Sequence, residues 1–467
     1  MEKSKSTVLL EAILGMKATS FANIPTHLTD KEKELKSNIN YFNKSLESSP
    51  ENSQLKEDLF NNIQERAELI KHIESTYPQY YNLKYNSEVI ELDEAQKLCK
   101  EEKAVISYFF GENTIYAVIL DSSYKECIRI PVTDSLIKNM NNLKTFLANP
   151  GSDLKDISAL SHNIYTKILE PLIGNKKYKK LTIIPDGPLN YIPFEALNTN
   201  YENPSYLMEN IAVSYTNSLT LLSQLKENLK YNSDVLAFAP TFNNESTLSQ
   251  LPNNIKETSG IFTHFMGKEF INEEATLDNF KLENNKFGII HLATHAILND
   301  KNPELSYLAF TENKTNNYLL YTSDLYNLNL NASLITLSAC ETDLGDLNKG
   351  EGLISLSRGF FYAGAKSILS TKWKINDAST SHIMDRFYYY LSKGENKDRA
   401  LQQAKLDFVK TNKQNPLSHP YYWSAFVLSG NTDAVMSSTI YWYWLIPGFL
   451  LLLLLIVLMF KKKKKLV

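Results

Sequence analysis

The sequence predicts an α/β protein in which a mostly parallel β-sheet lies between layers of helices. Six short apolar segments in the later part of the chain have the length and composition of strands, and helical segments separate them. These strands are apolar on both faces, which is typical of a parallel sheet that helices cover on both sides. The six segments are Leu181–Pro185, Val235–Pro240, Phe287–His295, Ser333–Cys340, Ala365–Trp373 and Trp423–Gly430.

Residues 1–82 predict a helical linker ahead of the sheet. The segments Leu28–Ser49 and Ser53–Thr76 carry apolar residues every three or four positions on a charged background. Pro50–Asn52 supplies turn-forming residues between them. We therefore expect the two helices to form an antiparallel hairpin.

The pattern changes over residues 88–130, where apolar runs separated by short polar turns predict a β-meander. Helical patterning returns after it and continues between the later strands. The predicted helices are Asp134–Leu147, Ser158–Gly174, Gly352–Ala363, Ala378–Leu391 and Asp398–Lys410.

The C-terminal part of the sequence predicts a transmembrane helix at residues 440–460. No charged residue occurs from Ala434 to Phe460, and a helix of this length spans the roughly 30 Å hydrocarbon layer. Tyr441–Trp444 resembles an interfacial aromatic belt, and a lysine-rich tail follows at residues 461–467. We therefore expect a single-pass membrane protein with a C-terminal anchor. The lysines favour a cytoplasmic tail, but the N-terminus has no signal peptide, so the side of the soluble body stays open.

The composition excludes several classes of protein. The 467 residues are 43% hydrophobic and 22% charged, which is typical of a folded globular chain. Subtracting the five positive charges of Lys461–Lys465 from the net charge of −3 leaves −8, which argues against a nucleic-acid partner. Cys99, Cys127 and Cys340 are widely spaced, so neither a disulfide framework nor a zinc site is expected.

Two predicted strands end in side chains with catalytic chemistry. The first ends at His295, and the second ends at Cys340, 45 residues later. If the strands are parallel neighbours, both side chains lie at the sheet edge where sites of α/β folds form. An imidazole can accept the thiol proton, and the resulting thiolate is a nucleophile. Packing is the alternative role for Cys340, and turn capping is the alternative for His295.

A metal site is not expected at this edge. His291 and His295 have the spacing of a metal-binding pair on a helix, but they lie on a predicted strand without a nearby glutamate. No glycine-rich phosphate loop follows any of the strands, so the sequence predicts no cofactor.

Four long, ordered segments carry most of the informative sequence: LTIIPDGPLNYIPFEAL, HLATHAILND, LITLSACETDLGDLNKGEGLISLSRGFFYAGAKSILSTKWKINDASTSHIMDRFYYYL and NPLSHPYYWSAFVLSGN. Together they resemble the CHAT domain, a caspase-like family commonly attached to tetratricopeptide repeats. The resemblance extends over roughly residues 88–430, with a catalytic core at about 178–430. It implies a caspase- and separase-like sheet that carries a Cys–His dyad.

The resemblance also assigns expected roles to single residues. The dyad would be Cys340 and His295, and the oxyanion hole would be formed by the amides of Cys340 and Ala296. Glycine is more usual at the position of Ala296; alanine keeps the N–H group but restricts the backbone. Asp343 and Asp377 are candidates for the pocket that receives the substrate residue before the cut, with turn or helix capping as the alternative.

The sequence therefore predicts a membrane-anchored cysteine endopeptidase that cleaves a protein partner. The alternative is a catalytically silent scaffold that recruits protein signalling partners at the membrane. The sequence leaves the oligomeric state open.

Overall fold

A large β-sheet runs through the part of the chain that this computed structural model describes. The described residues are 5, 24–77, 89–100, 102–225, 232–242, 248–299, 302–312, 318–338, 347–348, 352–353, 356–375, 377–413 and 415–436.

The strands of the described residues are numbered along the chain. They are β1 (Lys103–Phe110), β2 (Thr114–Leu120), β3 (Lys125–Pro131), β4 (Lys180–Ile184), β5 (Ala212–Tyr215), β6 (Val235–Pro240), β7 (Gly267–Asn272), β8 (Ile289–Leu292), β9 (Ala296–Ile297), β10 (Tyr307–Ala309), β11 (Leu319–Tyr321), β12 (Leu334–Leu337), β13 (Leu347–Asn348), β14 (Gly352–Leu353), β15 (Ser367–Thr371) and β16 (Phe426–Gly430).

The α-helices of the same residues are numbered in the same way. They are α1 (Thr26–Ser48), α2 (Ser53–Thr76), α3 (Leu92–Lys97), α4 (Asp134–Leu147), α5 (Leu154–Ile168), α6 (Glu170–Ile173), α7 (Leu219–Leu225), α8 (Asn254–Ile261), α9 (Leu277–Glu283), α10 (Thr322–Leu325), α11 (Leu356–Tyr362), α12 (Asp377–Ser392) and α13 (Lys397–Thr411).

The central sheet has 11 strands in the order β3-β2-β1-β4-β5-β16-β15-β12-β8-β6-β7. At one edge, β1, β2 and β3 form the antiparallel meander that the sequence predicts. Strands β1, β4 and β5 are parallel to one another, and so are β15, β12, β8, β6 and β7. Between these sets, β16 runs antiparallel to β15. The sheet is therefore mostly parallel, as expected.

Successive strand residues pack into two cores on opposite faces of the sheet. Ile289 and Leu334 belong to the core that contains side chains of α4, α5, α8, α12 and α13. Ile290 and Ile335, the next residues of the same strands, belong to the core that contains side chains of α7, α9, α10 and α11. Because strand side chains alternate between faces, apolar residues at successive positions bury both faces of β8 and β12.

A buried ion pair fixes α13 to the segment that follows β4. Lys405 Nζ lies 2.7 Å from Glu195 Oε1 and donates a hydrogen bond to the Phe426 carbonyl oxygen at 2.7 Å. The Tyr215 hydroxyl donates to the second Glu195 oxygen and accepts from the Phe194 amide. Burial lowers the pKa of Lys405, and the negative charge of Glu195 opposes that shift. This buried polar network joins β5, β16 and α13.

The N-terminal hairpin of α1 and α2 contacts the rest of the chain at α10. Lys44 Nζ lies 2.8 Å from both carboxylate oxygens of Asp324 and 4.2 Å from the centre of the Tyr321 ring. Asn40 donates a hydrogen bond to the Ser323 carbonyl oxygen at 2.8 Å. Since α10 directly follows β11, the hairpin is attached to the small sheet formed by β9, β10 and β11.

The predicted fold class must be corrected at its C-terminal transmembrane helix, and the predicted single-pass membrane location with it. No α-helix in the described part of the chain is both long enough and apolar enough to cross a membrane. The longest, α1 and α2, have 23 and 24 residues but carry charged side chains along their length. The predicted span at 440–460 and the tail at 461–467 lie outside the described residues. The predicted C-terminal membrane anchor and the predicted association with a membrane are therefore withdrawn.

We expect Lys405→Met to lower the free energy of unfolding by about 3–5 kcal/mol, because it leaves the Glu195 carboxylate buried without its partner. Urea unfolding followed by circular dichroism measures the change. Lys410→Met is the control, because Lys410 is an exposed lysine of the same helix. Adding Glu195→Gln to Lys405→Met should recover part of the lost free energy of unfolding. If the double variant loses as much as Lys405→Met and Glu195→Gln lose separately, added together, the two residues are not a coupled pair.

Candidate active site

The candidate active site lies beyond the carboxyl ends of β8 and β12, which are neighbouring parallel strands. Leu292 of β8 is paired with Leu337 of β12, and the Ser338 amide donates a hydrogen bond to the Leu292 carbonyl oxygen at 3.0 Å. His295 follows Leu292 by three residues, and Cys340 follows Leu337 by three residues. The two strands therefore end at the same level of the sheet, at Leu292 and Leu337. Cys340 itself lies outside the residues that the structure describes.

The imidazole of His295 is buried at this edge, with 7% of the residue exposed. Its Nε2 atom lies 2.7 Å from the carbonyl oxygen of Ser249, and its ring centre lies 4.9 Å from that of Phe242. A carbonyl oxygen accepts hydrogen bonds but cannot donate them, so Nε2 carries the proton of the contact. In the neutral imidazole, the lone pair then lies on Nδ1, which is the nitrogen able to accept a proton.

Asn254, the first residue of α8, anchors the loop that carries Ser249. The Asn254 side-chain amide donates hydrogen bonds to the carbonyl oxygens of Pro240 at 2.8 Å and Ala293 at 3.4 Å. These carbonyls lie at the end of β6 and directly after β8. One buried amide therefore ties the Ser249 loop to the strand that leads to His295.

Ala296 begins β9, and its backbone amide points away from the neighbouring strand. Ala296 is paired with Leu308 of β10, and the Ala309 amide donates to the His295 carbonyl oxygen at 3.0 Å. In an antiparallel ladder, this pattern makes Ala296 and Leu308 a non-hydrogen-bonded pair, so the Ala296 N–H is directed to the other side of β9. Ala296 is not one of the described non-glycine residues with a positive φ, so alanine fits this backbone without strain.

Of the two aspartates predicted for a substrate pocket, only Asp377 lies among the described residues. Asp343 lies outside the described residues, like Cys340. Asp377 is the first residue of α12, one position before the predicted helix start at Ala378. The assignment of both aspartates to a substrate pocket stays a prediction.

Sequence reasoning missed the surroundings of His295. Ser249 acts through its backbone carbonyl, which leaves no residue-type signature in a sequence. Phe242 and Asn254 reach the site from the β6 loop and α8, and neither stands in a pattern that distinguishes it from ordinary packing or helix capping.

The sequence matches the CHAT domain family over residues 158–431, which is more than half of the chain. The chain belongs to the CHAT domain family. This confirms the resemblance in the HLATH and SAC segments.

Two curated relatives and two solved structures are similar to this CHAT protein. Tetratricopeptide repeat protein 28 of Homo sapiens is 23% identical over 329 residues, and that of Mus musculus is 24% identical over 336 residues. Each alignment covers 57% of this chain, and the chain spans 13% of the length of each relative.

The first solved structure is the Saccharomyces cerevisiae separase–securin complex, with a TM-score of 0.46, 10% identity, and coverage of 76% of this chain and 31% of that chain. The second is the complex of the Porphyromonas gingivalis RgpB pro- and mature domains, with a TM-score of 0.39 and 10% identity. It covers 66% of this chain and 79% of that chain.

We expect His295 to be the Nε2–H tautomer at a pH where imidazoles are neutral, because Nε2 must donate to the Ser249 carbonyl oxygen. Long-range nitrogen–proton correlation spectra of protein with isotope-labelled histidine distinguish the two tautomers. The His295→Ala spectrum identifies the signal by its loss. A spectrum that shows the proton on Nδ1 and none on Nε2 would contradict the hydrogen bond to Ser249.

Proposed function

We propose that this CHAT domain protein is a cysteine endopeptidase that cleaves a protein partner, with Cys340 as nucleophile and His295 as general base. The observation that carries the proposal is the matched register of β8 and β12, since both residues follow the paired leucines by the same number of positions. The buried His295 ring, oriented by the Ser249 carbonyl, supports the same assignment. Family membership supports the reaction class.

In the proposed reaction, Nδ1 of His295 accepts the proton from the Cys340 thiol. The thiolate attacks the carbonyl carbon of the scissile peptide bond and forms a carbon–sulfur bond, while the carbonyl π electrons move to oxygen. The proton of Nε2 stays on the Ser249 side, so a single nitrogen carries the transferred proton through the cycle. A ring held in one orientation avoids the cost of reorganisation during the reaction.

The amides of Ala296 and Cys340 are proposed to hold the oxyanion of the tetrahedral intermediate. The direction of the Ala296 N–H, away from β10, supports this role because the group is left available by the ladder. His295 then gives its proton to the leaving amine as the carbon–nitrogen bond breaks. In the second half of the reaction, His295 accepts a proton from water as the hydroxide adds to the thioester carbonyl carbon. The carbon–sulfur bond then breaks, the carboxylic acid product leaves, and His295 returns the proton to the Cys340 sulfur.

The substrate is proposed to be a polypeptide that enters from the carboxyl edge of the sheet. Asp343 and Asp377 are retained as proposed pocket residues, and carboxylates there would favour a basic side chain before the cut. The curated relatives are named for tetratricopeptide repeats, and such helical arrays present extended surfaces for binding. A protein partner is therefore the proposed class of substrate.

We expect Cys340→Ala to lower the rate of cleavage by at least about a thousandfold, because the bond-forming atom is lost. The wild-type protein and the variant are each incubated with a native cell lysate, and new protein N-termini are sequenced by mass spectrometry. Cys127→Ala is the matched control, because Cys127 is an exposed thiol on the edge strand β3.

The proposal predicts new N-termini with the wild type and with Cys127→Ala, and none above background with Cys340→Ala. Cleavage that persists in Cys340→Ala would exclude Cys340 as the nucleophile. A wild-type protein that generates no new termini would favour the catalytically silent scaffold.

A further inference from the structure

Four buried polar side chains form a continuous chain beneath the candidate active site. The Tyr388 hydroxyl of α12 lies 3.0 Å from Nδ1 of His291 on β8 and 3.0 Å from the hydroxyl of Thr336 on β12. On the other side of the imidazole, Nε2 of His291 lies 2.9 Å from a carboxylate oxygen of Glu257 on α8. None of the four residues is more than 6% exposed. We call these four residues the strand clamp.

The end of the strand clamp at Glu257 is a close contact between a carboxyl oxygen and an imidazole nitrogen, without hydrogen-bond geometry. Within the described residues, neither Glu257 Oε1 nor His291 Nε2 has a hydrogen-bond partner of good geometry, although the two atoms are 2.9 Å apart. The end at Tyr388 differs, because its hydroxyl contacts both strands at normal hydrogen-bond distances. Burial raises the pKa of Tyr388, so its hydroxyl keeps its proton.

The strand clamp lies on β8 and β12, the same two strands that lead to His295 and Cys340. His291 and Thr336 are paired residues of β8 and β12. His295 lies four positions beyond His291, and Cys340 lies four positions beyond Thr336. One hydroxyl therefore holds the two strands at matching positions, immediately before both strands leave the sheet.

Apolar packing at these positions would fill the same space but would not select a register. Ile, Val and Leu side chains pack favourably at many relative shifts, whereas buried polar atoms must meet their partners. A displacement of one strand against the other would leave His291 Nδ1 or the Thr336 hydroxyl buried without a hydrogen bond. A buried polar network thus favours a single arrangement.

We propose that Tyr388, His291 and Thr336 are positioning residues that set the register of β8 against β12 and thereby the geometry of the Cys340–His295 dyad. Glu257 supports the His291 ring from the opposite side. The inference rests on the proposed function, because it assigns these residues a part in the activation of Cys340. It adds residues on α8 and α12 to the two residues of the proposed dyad.

The test is the pH dependence of Cys340 alkylation by iodoacetamide, followed at the Cys340 peptide by mass spectrometry in a Cys127→Ser background. A thiol activated by His295 reacts at a pH below the usual thiol pKa of about 8.5. We expect Tyr388→Phe to move the midpoint of the profile back towards that value and to slow alkylation at neutral pH about tenfold. A residue that contributes to stability alone would leave the midpoint of the folded protein unchanged.

Two controls separate positioning from loss of fold. Tyr390→Phe removes a hydroxyl two residues further along α12, whose described hydrogen bonds are with Asp407 and Arg386 rather than with either strand; its profile should match the wild type. Thr336→Val removes the hydroxyl with little change in shape and should act like Tyr388→Phe, whereas Thr336→Ser keeps the hydroxyl and should restore the profile. The Thr336 pair decides the question if Tyr388→Phe does not fold.

The outcomes distinguish the inference from the proposed function. An activated wild-type profile that is unchanged in Tyr388→Phe and Thr336→Val would overturn the inference and leave the endopeptidase standing. A wild-type Cys340 that titrates like an ordinary thiol would overturn the endopeptidase and the inference together.

Discussion

The pairing of β8 with β12 is the constraint on which the proposed chemistry depends. A parallel pair has no turn of its own to fix register, and a slip of one residue would turn every side chain to the opposite face of the sheet. Both strands bury both faces, so such a slip would place His291 among apolar side chains and would separate the segments that leave the sheet at Leu292 and Leu337. The geometry of the candidate site is therefore decided several residues before the reactive side chains.

Buried polar groups complement the apolar cores at the places where elements from distant parts of the sequence meet. The Glu195–Lys405 pair joins the segment after β4 to α13 and β16, and Tyr388 joins β8 to β12. In both places a tyrosine hydroxyl connects two partners, Tyr215 in the first and Tyr388 in the second. Hydrophobic burial supplies most of the driving force for folding, but it is nondirectional. The polar contacts add the specificity of arrangement that a catalytic dyad requires, which is a role that buried polar networks can serve.

The sequence predicted the strands that carry the site, but it did not predict what surrounds them. The run from Phe287 to His295 is recognisable because it is apolar on both faces, and the CHAT resemblance in the same segment is confirmed. Strand β5 has only four residues, and β7 lies at the sheet edge and begins with the exposed residues Gly267 and Lys268, so neither shows the pattern of a buried strand. The contact between His295 and Ser249 depends on a backbone carbonyl, for which every residue type is equivalent. The transmembrane prediction rested on an apolar run, an aromatic belt and a lysine tail, and it is wrong because no described helix has the length and apolarity that a span requires.

The most direct test of the account is chemical cross-linking of the dyad with dibromoacetone, whose two reactive carbons can join a thiol and an imidazole a few ångströms apart. The reagent is applied to the folded protein, and the linked peptides are identified by mass spectrometry. The register of β8 and β12 predicts an acetone bridge between the Cys340 and His295 peptides, which denaturation before treatment abolishes. Attachment to Cys340 alone, or a bridge from Cys340 to another residue, would contradict the claim that these two strands bring the sulfur and the imidazole into one site.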